Sequence, residues 1–249
     1  MNHISNCGDT DKSEGDIKGK VDRPSSPACQ SQNPENAAHE YQITKDLNTK
    51  DALGNIMTMY ERIEYQNNII LVSELLGRSL EKRLYRKMSL SCVQLIGQQL
   101  ASGLKVFHDQ GEAHCDLKPD NIAFVKGSEE TNQVKIIDLG SVYFLRRGLD
   151  YIVTRYYRAP EVIHRNKPYS VAIDVWSLGC ILYEIRYGSP PFLGVDEQEL
   201  LHCINRKQKD LSKIMRGYEA KMDLQKENFI DFICKLLAFC PQDRPTSDQ

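Results

Sequence analysis

Four polar side chains define the chemistry this chain could support. Asp116, Lys118 and Asn121 fall within the run His114-Cys115-Asp116-Leu117-Lys118-Pro119-Asp120-Asn121. Pro119 keeps that run out of a helix interior, because it has no N–H to donate and its ring clashes with the preceding turn. A loop of this kind presents a carboxylate, an ammonium and an amide to one small volume. Asp138 follows the β-rich run Val134-Lys135-Ile136-Ile137, where a strand end holds a second carboxylate. One base, one cation and two oxygen ligands for a hard metal suit phosphoryl transfer, a reaction that depends on positioning and charge neutralisation. Singly, each residue reads as a hydrogen-bonded loop residue; the chemistry rests on the set and its order.

The elements that must position these groups follow from periodicity and punctuation. Asn33-Pro34 is a helix start, and residues 34–48 form a helix burying Ala37, Ala38, Tyr41 and Leu47. Residues 55–64 and 68–73 read as two strands around a polar turn at Asn67. From residue 89 a helix places Val93, Ile96, Leu100, Leu104 and Phe107 on one face, with Ser89 or Ser91 as its cap, and leads into the 114–121 loop. Residues 122–125 and 134–137 are short strands. Residues 172–187 form a helix that is apolar all round, as suits the centre of a core. Further helices cover 197–206 and 226–238, the latter burying Phe229, Phe232, Ile233, Leu236 and Leu237.

The 249 residues are 41% hydrophobic and 27% charged, with a formal net charge of −2. That is ordinary globular composition, with no whole-chain case for nucleic-acid or membrane binding. No apolar run is long enough to span a bilayer, and the polar first 20 residues carry no secretory signal. The eight cysteines lack C-x-x-C spacing and read as reduced thiols of an intracellular protein, cytoplasmic or nuclear. Residues 1–33 are polar, without period, and expected to be disordered.

The ordered set His-x-Asp-Leu-Lys-Pro-x-Asn, Asp138-Leu139-Gly140 and Ala159-Pro160-Glu161 resembles the eukaryotic protein kinase signature. Cys115, where most kinases have arginine, together with Tyr151-Ile152-Val153-Thr154-Arg155-Tyr156-Tyr157-Arg158, resembles the dual-specificity tyrosine-regulated kinases of the CMGC group. The resemblance implies an α+β, bilobal protein-kinase-like fold. In it, 34–76 is a reduced N-lobe (an αC-like helix and a partial antiparallel sheet), 77–249 is a mainly helical C-lobe, and 1–33 lies before both. It implies a serine/threonine kinase using ATP and Mg²⁺ on protein substrates, monomeric, with tyrosine activity limited to itself.

By the same resemblance Asp116 is the base, Lys118 neutralises the γ-phosphoryl group, and Asn121 and Asp138 ligate Mg²⁺. Ser73, Glu74 and Leu76 form the gatekeeper and adenine-binding hinge, and Ala123 lies beneath the adenine. Glu40 is either the partner of the nucleotide lysine or a solvated helix-face glutamate. Tyr151 is either an autophosphorylated residue held by Arg155 and Arg158 or a packed loop tyrosine. His114 and Asp174 support the loop, and Glu161 pairs with Arg244. The glycine-rich phosphate loop is not visible, and Lys18 and Lys20 are the candidate nucleotide lysines. The rival expectation is therefore a pseudokinase scaffold, with a truncated gene product as a third.

Overall fold

The computed structural model describes residues 34–66, 68–84, 86–128, 130–142 and 153–247. The expectations for residues 1–33, including Lys18, Lys20 and any phosphate loop, and for Tyr151, lie outside these.

Helix α1 (Pro34–Asn48) packs against an antiparallel hairpin of β1 (Met59–Tyr65) and β2 (Asn68–Ser73). Ala37, Thr44 and Leu47 are its buried positions, whereas Ala38 and Tyr41 are half-buried. The expected strand over 55–64 is split. Residues 55–57 leave the hairpin and bond to a different sheet: Ile136 N–H donates to the Asn55 carbonyl at 2.8 Å, and Met57 N–H to the Ile136 carbonyl at 2.9 Å. The cause is local. Asp51 accepts from Asn55 N–H and Ile56 N–H, and Asn48 clamps Met57 and Met59, so the end of α1 fixes where the chain changes partners.

The rest is mainly helical. Helix α2 (Leu90–His108) is capped by the Ser89 hydroxyl, which accepts from Cys92 N–H, and it buries the five expected apolar residues. A second hairpin, β3 (Ile122–Phe124) with β4 (Val134–Ile136), follows the 114–121 loop. The short α3 (Pro160–Ile163) precedes α4 (Ala172–Tyr187), whose residues are buried on every side except at Ala172 and Arg186. Trp176 stacks on Phe192 at 5.5 Å. Helices α5 (Glu197–Lys207), α6 (Leu211–Tyr218) and α7 (Leu224–Leu236) complete the layer. The 226–238 expectation is corrected at one face: Phe232 is 38% exposed and Ile230 is buried instead. The buried stripe runs 229, 230, 233, 236 and 237, a helical period that leaves position 232 on the flank.

Helix α4 makes contact with both α2 and α7. At Gly179 an added Cβ would lie 2.9 Å from Leu236 Cβ, so glycine permits the close crossing of α4 and α7. The core that results runs continuously from Leu47 and Ile56 through α2 and α4 to Leu237, and the 114–121 loop is anchored on it.

Candidate active site

Asp174, in the first turn of α4, organises the 114–121 loop. Its buried carboxylate accepts from His114 N–H at 2.7 Å and Cys115 N–H at 3.1 Å, and it lies 3.1 Å from His108 Nε2. Cys115 takes φ +65° and is buried, as is Leu117. His114 Nε2 lies 3.1 Å from the Ile137 carbonyl and its ring meets Phe107 edge-on, which ties the loop to the segment carrying Asp138. Pro119 opens a single 3₁₀ turn, Pro119–Asn121, and Ile137 N–H donates to the Asn121 carbonyl at 2.9 Å.

This scaffold brings Asp116, Lys118 and Asn121 together. Lys118 Nζ donates to Asp116 Oδ2 at 2.6 Å. Asn121 Nδ2 donates to the Asp116 carbonyl at 2.9 Å and to Oδ2 at 3.3 Å, leaving its amide oxygen to act as a ligand. A further participant comes from 38 residues along the chain. Thr154 donates to Asp116 Oδ1 through its N–H at 3.0 Å and its hydroxyl at 2.7 Å, and it receives Lys118 Nζ at 3.2 Å. Thr154 stands inside the motif that carries the resemblance, but nothing in local spacing joins it to Asp116; only the fold does.

Asp138 takes a left-handed conformation, φ +62° and ψ 76°, at the end of the β4 segment. Glu40, from α1, faces it. Measured from the position of a Cβ added to Gly140, Glu40 Oε2 lies at 3.4 Å and Asp138 Oδ1 at 3.6 Å, so the two carboxylates crowd one glycine. Burial, then the charge of Asp138, pushes the Glu40 carboxyl up to about 7. Glu40 is therefore a partly buried acid beside a second acid rather than a solvated helix-face residue. Two carboxylates held this close favour a cation. Among the described residues no group of three or more His, Cys, Asp or Glu side chains converges on a metal. Asn121 and Asp138 match the sparse protein ligation of Mg²⁺, whose other ligands are waters and phosphates.

Residues 73–77, expected to form a hinge, run from the end of β2 to β3, where Gly77 N–H donates to the Phe124 carbonyl at 2.7 Å. Burial acts to raise the Glu74 carboxyl, but Lys135 Nζ and Thr58 N–H, each at 2.6 Å, outweigh it and hold it below the usual carboxylate range. The Glu74 side chain is thus turned into the fold, and its N–H donates to the Thr58 carbonyl. Ser73 ends β2, its hydroxyl 3.5 Å from the Glu74 carbonyl. Leu76 is half-buried, and among the described residues its N–H has no hydrogen-bond acceptor. Ala123 is buried on β3 opposite Lys135.

In the activation segment, Arg158 is buried. It donates to the Val153 carbonyl at 3.0 and 2.8 Å and to Glu197 at 2.6 Å. Arg155 donates to the Val195 carbonyl. Tyr157 donates to Glu184 at 2.7 Å. Burial first, then Asp120 and Glu81, raise the Glu184 carboxyl against the lowering effect of Tyr157. Arg244 grips both Glu161 oxygens at 2.7 and 2.8 Å.

The chain matches the protein kinase domain over residues 20–249. Among curated proteins it is 37% identical over 175 residues to dual specificity tyrosine-phosphorylation-regulated kinase 3 of Macaca fascicularis, covering 68% of this chain and 30% of that protein. It is 30% identical over 252 residues to dual specificity tyrosine-phosphorylation-regulated kinase 2 of Drosophila melanogaster, covering 86% and 34%. It is also 34% identical over 176 residues to homeodomain-interacting protein kinase 2 of Mus musculus, covering 68% and 15%. The chain spans about a third or less of the length of these relatives. With the loop, the Asp138 turn and the buried Glu161–Arg244 pair in one fold, the chain belongs to the protein kinase family and is similar within it to the dual-specificity tyrosine-regulated kinases.

Proposed function

We propose that this chain is a serine/threonine protein kinase of the dual-specificity tyrosine-regulated type, transferring the γ-phosphoryl group of ATP to protein hydroxyls. The observation that carries this is the arrangement about Asp116. Its carboxylate is held by Lys118, Asn121 and Thr154 at the mouth of the loop, where it orients a substrate hydroxyl and receives its proton. Lys118 spreads its charge over the migrating phosphoryl group. Asn121 and Asp138 would hold Mg²⁺, which supplies neutralisation of the phosphate oxygens. Leu76 and the neighbouring hinge backbone receive the adenine above Ala123, and Glu40 stands where a lysine ammonium is needed. Residues 34–76 serve as the small lobe and 77–249 as the large one. Tyr151 is the autophosphorylated residue, with Arg155 and Arg158 as the arginines beside it.

The test is phosphate incorporation from labelled Mg·ATP into the chain itself and into a basic protein. Asp116→Asn abolishes incorporation while leaving the melting temperature within a few degrees. Incorporation that survives the substitution overturns the assignment of the base, and none in the unaltered chain overturns the activity.

A further inference from the structure

Lys135 stands on β4 between Val134 and Ile136, both buried in the core. Alternation along a strand turns Lys135 to the opposite face of the β3–β4 pair. It shares that face with its cross-strand partner Ala123. There its ammonium donates to Glu74 Oε1 at 2.6 Å. The two side chains are only 14% and 18% exposed, so water screens their attraction less than it would at the surface. The same oxygen accepts from Thr58 N–H at 2.6 Å, and Glu74 N–H donates to the Thr58 carbonyl at 3.0 Å. One carboxylate thus gathers three pieces of chain: the end of β2, the residue before β1 and the middle of β4.

This carboxylate is one of two anchors of the segment 74–77. The other is Gly77, whose N–H donates to the Phe124 carbonyl on β3. Between the anchors Leu75 is exposed, and the Leu76 N–H has no acceptor among the described residues. Both anchors reach the β3–β4 pair, and that pair adjoins the phosphoryl-transfer residues. Asn121 immediately precedes β3, and Asp138 lies two residues beyond β4. Ile137 N–H, donating to the Asn121 carbonyl at 2.9 Å, keeps these two ends together. Lys135 is therefore the side chain that joins the segment 74–76 to the strand leading to Asp138. Its contact with Glu74 differs in kind from that of Thr58. A neutral acceptor satisfies the Thr58 N–H, whereas the ammonium depends on the carboxylate charge.

We propose that Lys135 is a positioning residue of the nucleotide site. Through the Glu74 carboxylate it sets the backbone of 74–76 over Ala123, at a fixed distance from Asn121 and Asp138, so that one rigid nucleotide meets all of them at once. The role of this backbone as the adenine seat rests on the kinase reading. Lys135 touches neither the phosphates nor the substrate hydroxyl in this role. Its loss weakens ATP equally in the ground state and the transition state, which raises KM for ATP and leaves kcat as it was.

The experiment compares Lys135→Met, Lys135→Arg, Glu74→Gln and the double change Glu74→Gln/Lys135→Met in the full chain. Binding is read by anisotropy of ATP carrying a fluorescent ribose label, with Mg²⁺, and turnover by steady-state kinetics. Lys135→Met is expected to raise Kd and KM for ATP about tenfold, the worth of one charged hydrogen bond, with kcat and the KM of the protein substrate unchanged. Lys135→Arg restores most of the affinity. Glu74→Gln, which keeps an acceptor for Thr58 N–H, matches Lys135→Met, and the double change is no worse than either single one. A brace that served stability alone would lower the melting temperature and leave KM for ATP where it was. Unchanged affinity in Lys135→Met and Glu74→Gln, additive losses in the double change, or a fall in kcat at constant KM overturns the proposal. Deuterium exchange supplies an arm that needs no nucleotide. The amides of 74–77 exchange about tenfold faster in Lys135→Met, with those of α4 unaffected, and equal exchange overturns the proposal. Faster exchange in a chain that binds no ATP even when unaltered refutes the kinase reading and leaves Lys135 as the residue that holds the segment.

Discussion

At the scale of single residues, the site is a problem in sharing one carboxylate. Asp116 Oδ1 is engaged by Thr154 and Oδ2 by Lys118, so the carboxylate that we propose as the base is already oriented. The Thr154 hydroxyl contributes a bond that serine can reproduce and alanine cannot. Thr154→Ala is expected to lower kcat about ten- to a hundredfold, with Thr154→Ser near the unaltered chain. Steady-state kinetics of the two variants checks this, and equal rates for alanine and serine would remove Thr154 from the site. Glu40 offers a second reading at this scale. Its carboxyl is raised from 4.5 to about 7, so between those values the folded state binds a proton that the unfolded state has released. Stability therefore falls as pH rises through that window, by on the order of 2 kcal/mol, and is flat on either side. Glu40→Gln flattens the dependence and makes the chain more stable than its parent at pH 8. Urea midpoints at pH 5 and pH 8 test it; a parallel pH dependence in both proteins excludes Glu40 as the source.

At the scale of elements, legibility follows how local the determining forces are. The 172–187 helix was readable to the residue, because an apolar segment with Gly188 in left-handed conformation just beyond it states both its burial and its end. Helix α2 was readable from its serine cap and its 3.6-residue stripe. The 55–64 strand was not, because its division is imposed by Asp51 and Asn48 on α1, which no period reveals. Helix α6 was missed for its brevity. Thr154 and the Lys135–Glu74 pair, 61 residues apart, are tertiary facts. The same logic gives a prediction for the α4–α7 crossing. A Cβ at position 179 would press on Leu236 and Leu237 at 2.9 to 3.0 Å, in a core with no slack. Gly179→Ala is expected to cost about 1–3 kcal/mol by overpacking, outweighing alanine's better helix propensity. Chemical denaturation measures it, and a stabilised variant would show that the two helices separate freely.

At the scale of the whole molecule, Arg244 fastens distant parts of the chain to one another. Its guanidinium donates to Glu161, 83 residues away, and to the carbonyls of Ala172, Ala238 and Phe239, at distances from 2.7 to 3.1 Å. It also lies 5.1 Å from the centre of the Trp176 ring. The end of the activation segment, the start of α4 and the segment after α7 are thereby held by a single fork. Both partners are buried, so desolvation offsets much of the attraction between them, and the pair as a whole contributes little net stability. Removing one member is different, because the other is left charged and unpaired. Glu161→Ala is expected to destabilise by about 3–5 kcal/mol, lowering the melting temperature by roughly 10 °C in a domain of this size. Arg244→Lys fares little better, since an ammonium cannot reproduce the planar fork that reads two carboxylate oxygens and three carbonyls. The double change Glu161→Leu/Arg244→Met loses less than the sum of the two single changes, because neither side chain leaves a buried charge behind. Calorimetry on the singles and the double closes this cycle. Strictly additive losses would mean that the two residues act independently and that the pair does not hold the activation segment to the core.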